Sequence, residues 1–322
     1  MLIKARPDVK YSLIKEMMLR DNNMLKITWL CDIAGVSRSG YYRWCSSEES
    51  RKHKEDQDIN DFESILNAYN YRGYAKGARG IYMRLLHQNP SVNMNIKKIR
   101  RLMNKYGLKC PIRKANPYRR MMKAMKTNKI APNLLNREFR SHGARMVLLT
   151  DITYIPRENG AFSYLSVIID AYTKQVLAYK LSKSLEIDFV LKTVEQLIEK
   201  HGISLRKETL IHSDQGSHYT SHKFIDIVKN NDLRQSMSRK ANCWDNAPQE
   251  SLFGHMKDEI TLTGKESHNQ LVTIINKWID YYNNERYQWE LARLSPNEYF
   301  EYIATGVYPL KIKLPVEKES NL

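Results

Sequence analysis

The stretch "RMVLLTDITYIP", residues 145–156, decides the fold of this 322-residue chain. Apolar and β-branched residues dominate it, which is typical of a buried β-strand. One carboxylate, Asp151, interrupts the run, and an uncompensated charge in such a strand is costly. A cation that shared the site would offset that cost. The stretch therefore predicts a strand and a candidate ligand within it.

Strands and helices alternate downstream of this stretch. The runs "FSYLSVIIDAYT" (162–173) and "QVLAYKLS" (175–182) follow at hairpin distances and predict two more strands. Two later strands are predicted in "TLIHSD" (209–214) and "RQSMS" (234–238). Helices are predicted at 186–202, 221–232, 246–260, 269–287 and 296–304. The β-β-β-α-β-α-β-α order predicts a mixed sheet flanked by helices, which is an α/β fold.

Two more carboxylates accompany Asp151. Asp214 ends a predicted strand, and Glu250 lies one turn into the helix that follows the last strand. Hard divalent cations such as Mg²⁺ prefer oxygen ligands of this kind. Two such ions, about 4 Å apart, activate a nucleophile and stabilise the leaving oxygen in phosphoryl displacement. The three acids together therefore predict a metal-dependent site.

Three histidines near Asp214 raise a competing reading. His212, His218 and His222 could indicate a transition-metal site, because imidazole favours Zn²⁺ or Cu²⁺. No cysteine lies close to them, so we interpret His212 as a residue that packs beside Asp214 or orients it.

Several other conspicuous side chains are assigned supporting roles. Asp170, at the end of another predicted strand, is interpreted as structural or supporting. Lys257 shares a helix face with Glu250 and is expected to contact a substrate phosphate, as is Arg239. The tryptophans at 244, 278 and 289 are interpreted as core anchors rather than base-stacking platforms.

The net charge of +17 is concentrated in one segment. Between Glu63 and Glu138 there is no acidic residue, while 18 of the 52 lysines and arginines lie there. The remaining 34 basic residues nearly balance the 35 acidic ones. A long positive segment beside a near-neutral one predicts a nucleic-acid-binding module joined to a second domain.

Two helical units are predicted within the N-terminal half. Residues 25–47 read as a helix, a turn at Gly35 and a second helix that carries Arg38 and Arg43, the layout of a helix-turn-helix. The charged stretch 46–63 is interpreted as structureless. Residues 93–109 then predict an amphipathic helix whose basic residues would track phosphates. These residues are Lys97, Lys98, Arg100 and Arg101.

Motifs of the second half resemble those of insertion-sequence-3 family transposases. The blocks "DITYI" (151–155), "HSDQGSHYTS" (212–221) and "SMSRKANCWDNAPQESLFGHMKDE" (236–259) are similar to the integrase core of that family. Thirty-five residues separate Asp214 from Glu250, the spacing for which the family triad is named. "YYNNERYQWELARLSPNEYF" (281–300) resembles its C-terminal signature. Gln249 stands where the family is expected to have an apolar residue.

The resemblance implies a ribonuclease H-like integrase core with a mixed five-stranded sheet, preceded by helix-turn-helix units. It implies a DDE polynucleotidyl transferase in which Asp151, Asp214 and Glu250 hold two Mg²⁺ or Mn²⁺ ions. Water would free a 3′-hydroxyl at the end of the element, and that hydroxyl would attack a second phosphodiester. The partners implied are terminal inverted repeats, target DNA and at least a second copy of the chain on DNA. No heptad leucine repeat precedes the core, so the chain resembles a second-frame product that could act with an upstream-frame product.

Five segments are expected. They are a helix-turn-helix (1–50), a second helical DNA-binding unit (58–110), a basic linker (111–140), the catalytic core (141–265) and a helical extension (266–322).

Two other functions fit parts of the pattern. A helix-turn-helix regulator of transposition without catalysis would not need three convergent acids, and a general metal-dependent nuclease would not need sequence-specific binding units. Scattered cysteines and the lack of a signal peptide or a long apolar run predict a cytoplasmic, nucleoid-associated protein with no membrane partner.

Overall fold

The computed structural model divides the chain into two compact units, Met1–Asn67 and Ala68–Leu322. The residues that it describes are 5–20, 24–74, 76–110, 142–205, 208–238 and 247–310. Within them, no helix is both long enough and apolar enough to cross a membrane.

The first unit is helical. Its helices are α1 (Pro7–Met18), α2 (Ile27–Ala34), α3 (Arg38–Ser46) and the start of α4 (Glu48–Asn70). The predicted glycine turn is present, because Gly35 ends α2 with a φ of 62° and the Ser37 hydroxyl accepts the Gly40 N–H at the start of α3. Ile14, Leu30, Cys31 and Tyr41 form its core.

One sequence-based expectation for this unit is wrong. The stretch 46–63, expected to be structureless, lies almost entirely in the 23-residue helix α4. Its Glu, Lys, Arg and Gln residues are good helix formers, Glu48 and Glu49 complement the helix dipole, and no Gly or Pro interrupts it. Ile33 of α2 is 75% exposed, whereas Cys31 on the same helix is buried in the core of the unit.

The second unit is built around a five-stranded mixed sheet, which confirms the predicted fold class. The strands are β1 (Val147–Pro156), β2 (Phe162–Asp170), β3 (Val176–Ser182), β4 (Leu210–Ser213) and β5 (Arg234–Met237). They are ordered β3-β2-β1-β4-β5. β1 pairs antiparallel with β2 and parallel with β4, so β1 lies at the centre. This order is that of an α/β core with a hairpin-connected half and a parallel half.

Helices cover both faces of the sheet. The helices of this unit are α5 (Ala78–Leu86), α6 (Ile96–Lys105), α7 (Asp188–His201), α8 (His222–Asn230), α9 (Ala247–Glu259), α10 (His268–Asn284) and α11 (Pro296–Thr305). α7 and α8 pack on the face that carries Leu148 and Ile168. α9 and α10 pack on the opposite face, against Leu149 and Val167. Apolar residues on both faces explain why the central strand reads as a continuous apolar run.

The tryptophans do not share one environment. Trp278 is fully buried between α10 and the sheet, as expected of a core anchor. Trp289 is 40% exposed, so its interpretation as a core anchor is wrong. Trp244 lies outside the described residues.

Candidate active site and nucleic-acid interface

Asp151 lies in the middle of the central strand β1. It pairs across the hairpin with Val167 of β2 and is 7% exposed. Strand alternation places it on the same face as Leu149 and Ile155, the face that α9 covers. The backbone N–H of Ile152 donates a hydrogen bond to its Oδ1 at 2.8 Å. The strand therefore holds a nearly buried, oriented carboxylate.

Asp214 directly follows β4, the parallel neighbour of β1. Leu149 of β1 pairs with His212 of β4, and Asp151 and Asp214 each follow this pair by two residues on adjacent parallel segments. The N–H of Gly216 donates to Asp214 Oδ1 at 2.9 Å. A Cβ atom on Gly216 would stand 2.9 Å from that oxygen, so the backbone approaches the carboxylate closely.

Tyr219 links the two aspartates, and sequence reasoning did not single it out. Its side chain is fully buried, and its hydroxyl lies 3.4 Å from Thr150 Oγ1. Burial, followed by the charges of Asp151 and Asp214, raises the pKa of Tyr219 well above its ordinary value. Both carboxylates therefore lie within electrostatic reach of one phenol. The signal in the sequence was an aromatic residue within an otherwise polar turn.

Glu250 occupies the first turn of α9 and is exposed. Its neighbour Gln249 is fully buried and donates from Nε2 to the carbonyl oxygen of Val167 at 3.3 Å. Val167 is the residue that pairs with Asp151, so α9 begins beside the strand position of Asp151. Gln249, noted in the sequence as an unexpected polar residue, thus fixes the start of the helix that carries Glu250.

The three carboxylates differ in their placement. Asp151 and Asp214 are carried by the adjacent strands β1 and β4, whereas Glu250 is exposed on α9. Within the described ranges, no three His, Cys, Asp or Glu side chains are close enough to hold a metal ion together. The residues immediately before α9, 239–246, lie outside those ranges. The donor set consists of carboxylate oxygens, which fits Mg²⁺ or Mn²⁺ in its chemistry.

Two of the three histidines, His212 and His218, contact protein groups. The two ring nitrogens of His212 lie 2.9 Å from Ser236 Oγ and 3.1 Å from Ser238 Oγ. His218 Nε2 lies 2.6 Å from the carbonyl oxygen of Leu185. His212 thereby ties the end of β4 to β5, next to Asp214.

Asp170 is a structural carboxylate. It is completely buried and accepts hydrogen bonds from the Thr173 hydroxyl at 2.8 Å and the Tyr172 N–H at 3.1 Å. The Arg145 guanidinium lies 3.4 Å away. These contacts close the turn after β2, in agreement with its interpretation from the sequence.

Most of the described residues that are predicted to contact DNA occupy exposed helix positions. Arg38 and Arg43 lie on α3 and are exposed. On α6, Ile99, Leu102 and Met103 are buried, as the amphipathic pattern predicts. The basic residues of α6 are exposed at Lys97, Arg100 and Arg101 and half-buried at Lys98. Lys257 is exposed on α9, and Arg239 lies outside the described residues.

Comparison with known families gives matches over most of the chain. The Integrase core domain matches residues 142–243, a second Integrase core domain model matches residues 231–296, and an HTH-like domain matches residues 55–116. An uncharacterized transposase-like protein of Haemophilus influenzae is 34% identical and covers 65% of this chain and 94% of its own length. The transposase for insertion sequence element IS904 of Lactococcus lactis is 30% identical, covering 68% of this chain and 85% of its own length.

This chain belongs to the insertion-sequence transposase family. The resemblance to insertion-sequence-3 transposases that the motifs indicate is thereby confirmed. Among solved structures, the catalytic core domain of BIV integrase is similar at 16% identity and a TM-score of 0.38, covering 50% of this chain and 98% of that one. The triad motifs of this transposase-family chain fall on β1, on the end of β4 and on α9, all within the integrase-core matches.

Proposed function

We propose that this chain is a DNA transposase that cleaves the 3′ ends of its insertion sequence at the terminal inverted repeats and joins them to a second DNA strand. The observation that supports the proposal is that two carboxylates, each held by a backbone N–H, are carried by neighbouring parallel strands. Asp151 lies on the central strand and Asp214 at the end of its neighbour. A helix that carries a third carboxylate, Glu250, begins beside them.

The residues of the site have distinct tasks in this proposal. Asp151, Asp214 and Glu250 would hold two Mg²⁺ or Mn²⁺ ions, which when bound supply Lewis-acid activation of the attacking oxygen and stabilisation of the leaving oxygen. The N–H groups of Ile152 and Gly216 orient the two aspartates through Oδ1. Gln249 sets the position of α9 against β2. His212 holds the end of β4, from which Asp214 follows.

DNA recognition would be shared among exposed basic helices. Arg38 and Arg43 on α3 are suited to the groove of the terminal repeat. Lys97, Lys98, Arg100 and Arg101 on α6 are suited to phosphates, as are Lys257 and Arg239 nearer the triad. We expect at least two copies to act on paired DNA ends in the cytoplasm, at the nucleoid, with an upstream-frame product as a further partner.

A cleavage assay tests the function. The full chain is incubated with Mg²⁺ and duplexes carrying the terminal repeats, and the product ends are mapped. We expect 3′-end nicking and strand joining that is lost in Asp151→Ala, Asp214→Ala and Glu250→Gln while DNA binding remains. Full activity in any of these variants would overturn the assignment of that carboxylate.

Two controls separate the other functions. A regulator would bind the repeats without cutting them, and a general nuclease would cut unrelated duplexes at equal rates. Mn²⁺ binding, measured by calorimetry without DNA, provides a readout independent of catalysis. It should be strong in the wild type and lost in Asp151→Ala and Asp214→Ala.

A further inference from the structure

Trp289 lies at the exposed tip of the loop between α10 and α11. The loop is closed by backbone hydrogen bonds from the Gln288 N–H to the Leu294 oxygen, 2.9 Å, and from the Arg293 N–H to the Gln288 oxygen, 3.0 Å. Leu291 and Leu294 are buried and anchor it. The large indole is nevertheless 40% exposed, at a position that core packing does not require.

Two arginines from distant parts of the sequence lie against this indole. The Cζ atoms of Arg79 and Arg293 lie 5.6 Å and 4.9 Å from the centroid of the Trp289 ring. Tyr82, one turn after Arg79 on α5, lies 6.2 Å from Trp289 between ring centroids. Arg293 also lies over Tyr82, at 5.6 Å. The result is a surface of two guanidinium groups and two aromatic rings.

The loop backbone is held in a costly conformation that maintains this surface. Ala292 and Arg293 have φ values of 52° and 69°, the left-handed region that non-glycine residues seldom adopt. The Tyr308 hydroxyl donates to the Ala292 oxygen at 2.8 Å. Arg293 Nε is buried and has no hydrogen-bond partner in the part of the chain that the structure describes. The Arg293 Nε–H group, beside the exposed indole, therefore has no acceptor within the described structure.

Two acidic residues near the loop, Glu285 and Glu298, make contacts with other side chains and with the backbone. Glu285 pairs with Arg72 and lies 3.9 Å from Arg84. Glu298 accepts the Ser295 N–H and lies 3.3 Å from His87. Glu290 shares the exposed tip with Trp289. The charge of Arg79 and Arg293 at the tip is therefore opposed mainly by one neighbouring carboxylate.

We propose that Arg79, Arg293 and Trp289 form a DNA-binding surface, in which the guanidinium groups contact backbone phosphates and the indole packs on an adjoining sugar or base. Such pairing of cations with an aromatic ring suits nucleic acid, because every nucleotide offers a phosphate and a flat face. Arg79 lies on α5, which packs against α6, the helix that carries the exposed basic residues Lys97, Arg100 and Arg101.

Charge complementarity favours DNA over another protein copy. Arg79 belongs to the acid-free segment between Glu63 and Glu138, and the chain carries a net charge of +17. A second copy would present the same positive surface and would be repelled. This inference rests on the proposed function, in that it assigns the C-terminal signature a role in holding the DNA that the triad cuts.

Salt-dependent DNA binding tests the inference. Fluorescence anisotropy with a labelled terminal-repeat duplex is measured from low to high salt for the full chain, Arg79→Ala, Trp289→Ala and Trp289→Phe. Arg79→Ala should lower the slope of log K against log salt by about 0.9, the value for one lost phosphate contact. Trp289→Ala should weaken binding by roughly tenfold, with partial rescue by Trp289→Phe. Lys192→Ala, at an exposed position of α7, is the matched control and should bind as the wild type does.

Other outcomes overturn the inference without touching the proposed function. Normal binding and an unchanged slope in Arg79→Ala would exclude the surface, even if Trp289→Ala failed to fold, because Arg79 is exposed. Normal DNA binding by Trp289→Ala together with a changed oligomeric state would assign the surface to protein contact. Failure of the proposed function would instead appear as a wild-type chain that neither binds nor cuts the repeats.

Discussion

Gly216 keeps open the space that the Asp214 carboxylate occupies. Its N–H donates to Asp214 Oδ1, and a Cβ atom there would stand 2.9 Å from the same oxygen. The side-chain carboxylate is the group that must move, so Gly216→Ala should displace it without disturbing the fold. We expect DNA cleavage to fall by about 100-fold, the cost of misplacing a catalytic group by about 1 Å. The melting temperature should stay within about 2 °C of the wild type.

A second glycine provides the control for this variant. Gly254 lies in α9, and a Cβ atom there would meet nothing within 4 Å. Gly254→Ala should therefore retain cleavage and gain slight stability from helix propensity. Wild-type cleavage by Gly216→Ala would show that the Asp214 carboxylate is not confined as described.

At the scale of residues, Asp151 lies within a strand and Asp214 at the end of one, as the sequence predicted, whereas the side chains around them were not predicted. Asp151 stood out because an uncompensated charge within an apolar strand is costly. The contacts of His212 with Ser236 and Ser238 could not be predicted, because they depend on how β5 lies beside β4. Sequence periodicity predicts the face of the strand or helix on which a residue lies. It does not predict which side chains from distant parts of the sequence contact that residue.

At the scale of elements, α4 offers a direct test of a sequence-based error. Lys54 is exposed near the middle of the stretch expected to be structureless. A proline there removes a helical hydrogen bond and clashes with the preceding turn. Lys54→Pro should lower the free energy of unfolding of the first unit by about 3 kcal/mol, whereas Lys54→Ala should be nearly neutral. Urea denaturation followed by circular dichroism measures both, and equal stability of the two variants would contradict a helix at this position.

The helix that carries Glu250 is also fastened at its far end. Glu259 accepts hydrogen bonds from Trp278 Nε1 at 2.9 Å and from Arg286 Nε at 2.8 Å, which joins α9 to α10 and the loop after it. Glu259→Ala would leave a largely buried guanidinium and an indole N–H without their acceptor. We expect the free energy of unfolding to fall by about 3 kcal/mol in urea titrations. Glu199→Ala, at an exposed position of α7, should change it by less than about 0.5 kcal/mol. Similar decreases in the free energy of unfolding for Glu259→Ala and Glu199→Ala would contradict a stabilising role for these hydrogen bonds.

At the scale of the whole molecule, the order of elements along the sequence predicted the fold class. The order of the strands within the sheet could be determined only from the structure. The hairpins β1–β2 and β2–β3 follow from short connections. The parallel pairing of β1 with β4 joins segments about 60 residues apart, and no local pattern specifies it. That pairing also makes the strand that carries Asp151 the neighbour of the strand that Asp214 follows. The sequence predicted that the acids converge, and the order of the strands supports this prediction for the two aspartates.

The uneven charge of the chain predicts how its DNA affinity depends on salt. Phosphate contacts release counterions, so each one contributes about 0.9 to the slope of log K against log salt. Arg100 and Arg101 are exposed on α6 within the acid-free segment, so Arg100→Ala/Arg101→Ala should lower the slope by about 1.8. Lys192→Ala/Lys200→Ala removes equal charge from α7, on the near-neutral part of the chain, and should leave the slope unchanged. Equal effects of the two pairs in anisotropy titrations would mean that net charge, rather than its placement on α6, governs binding.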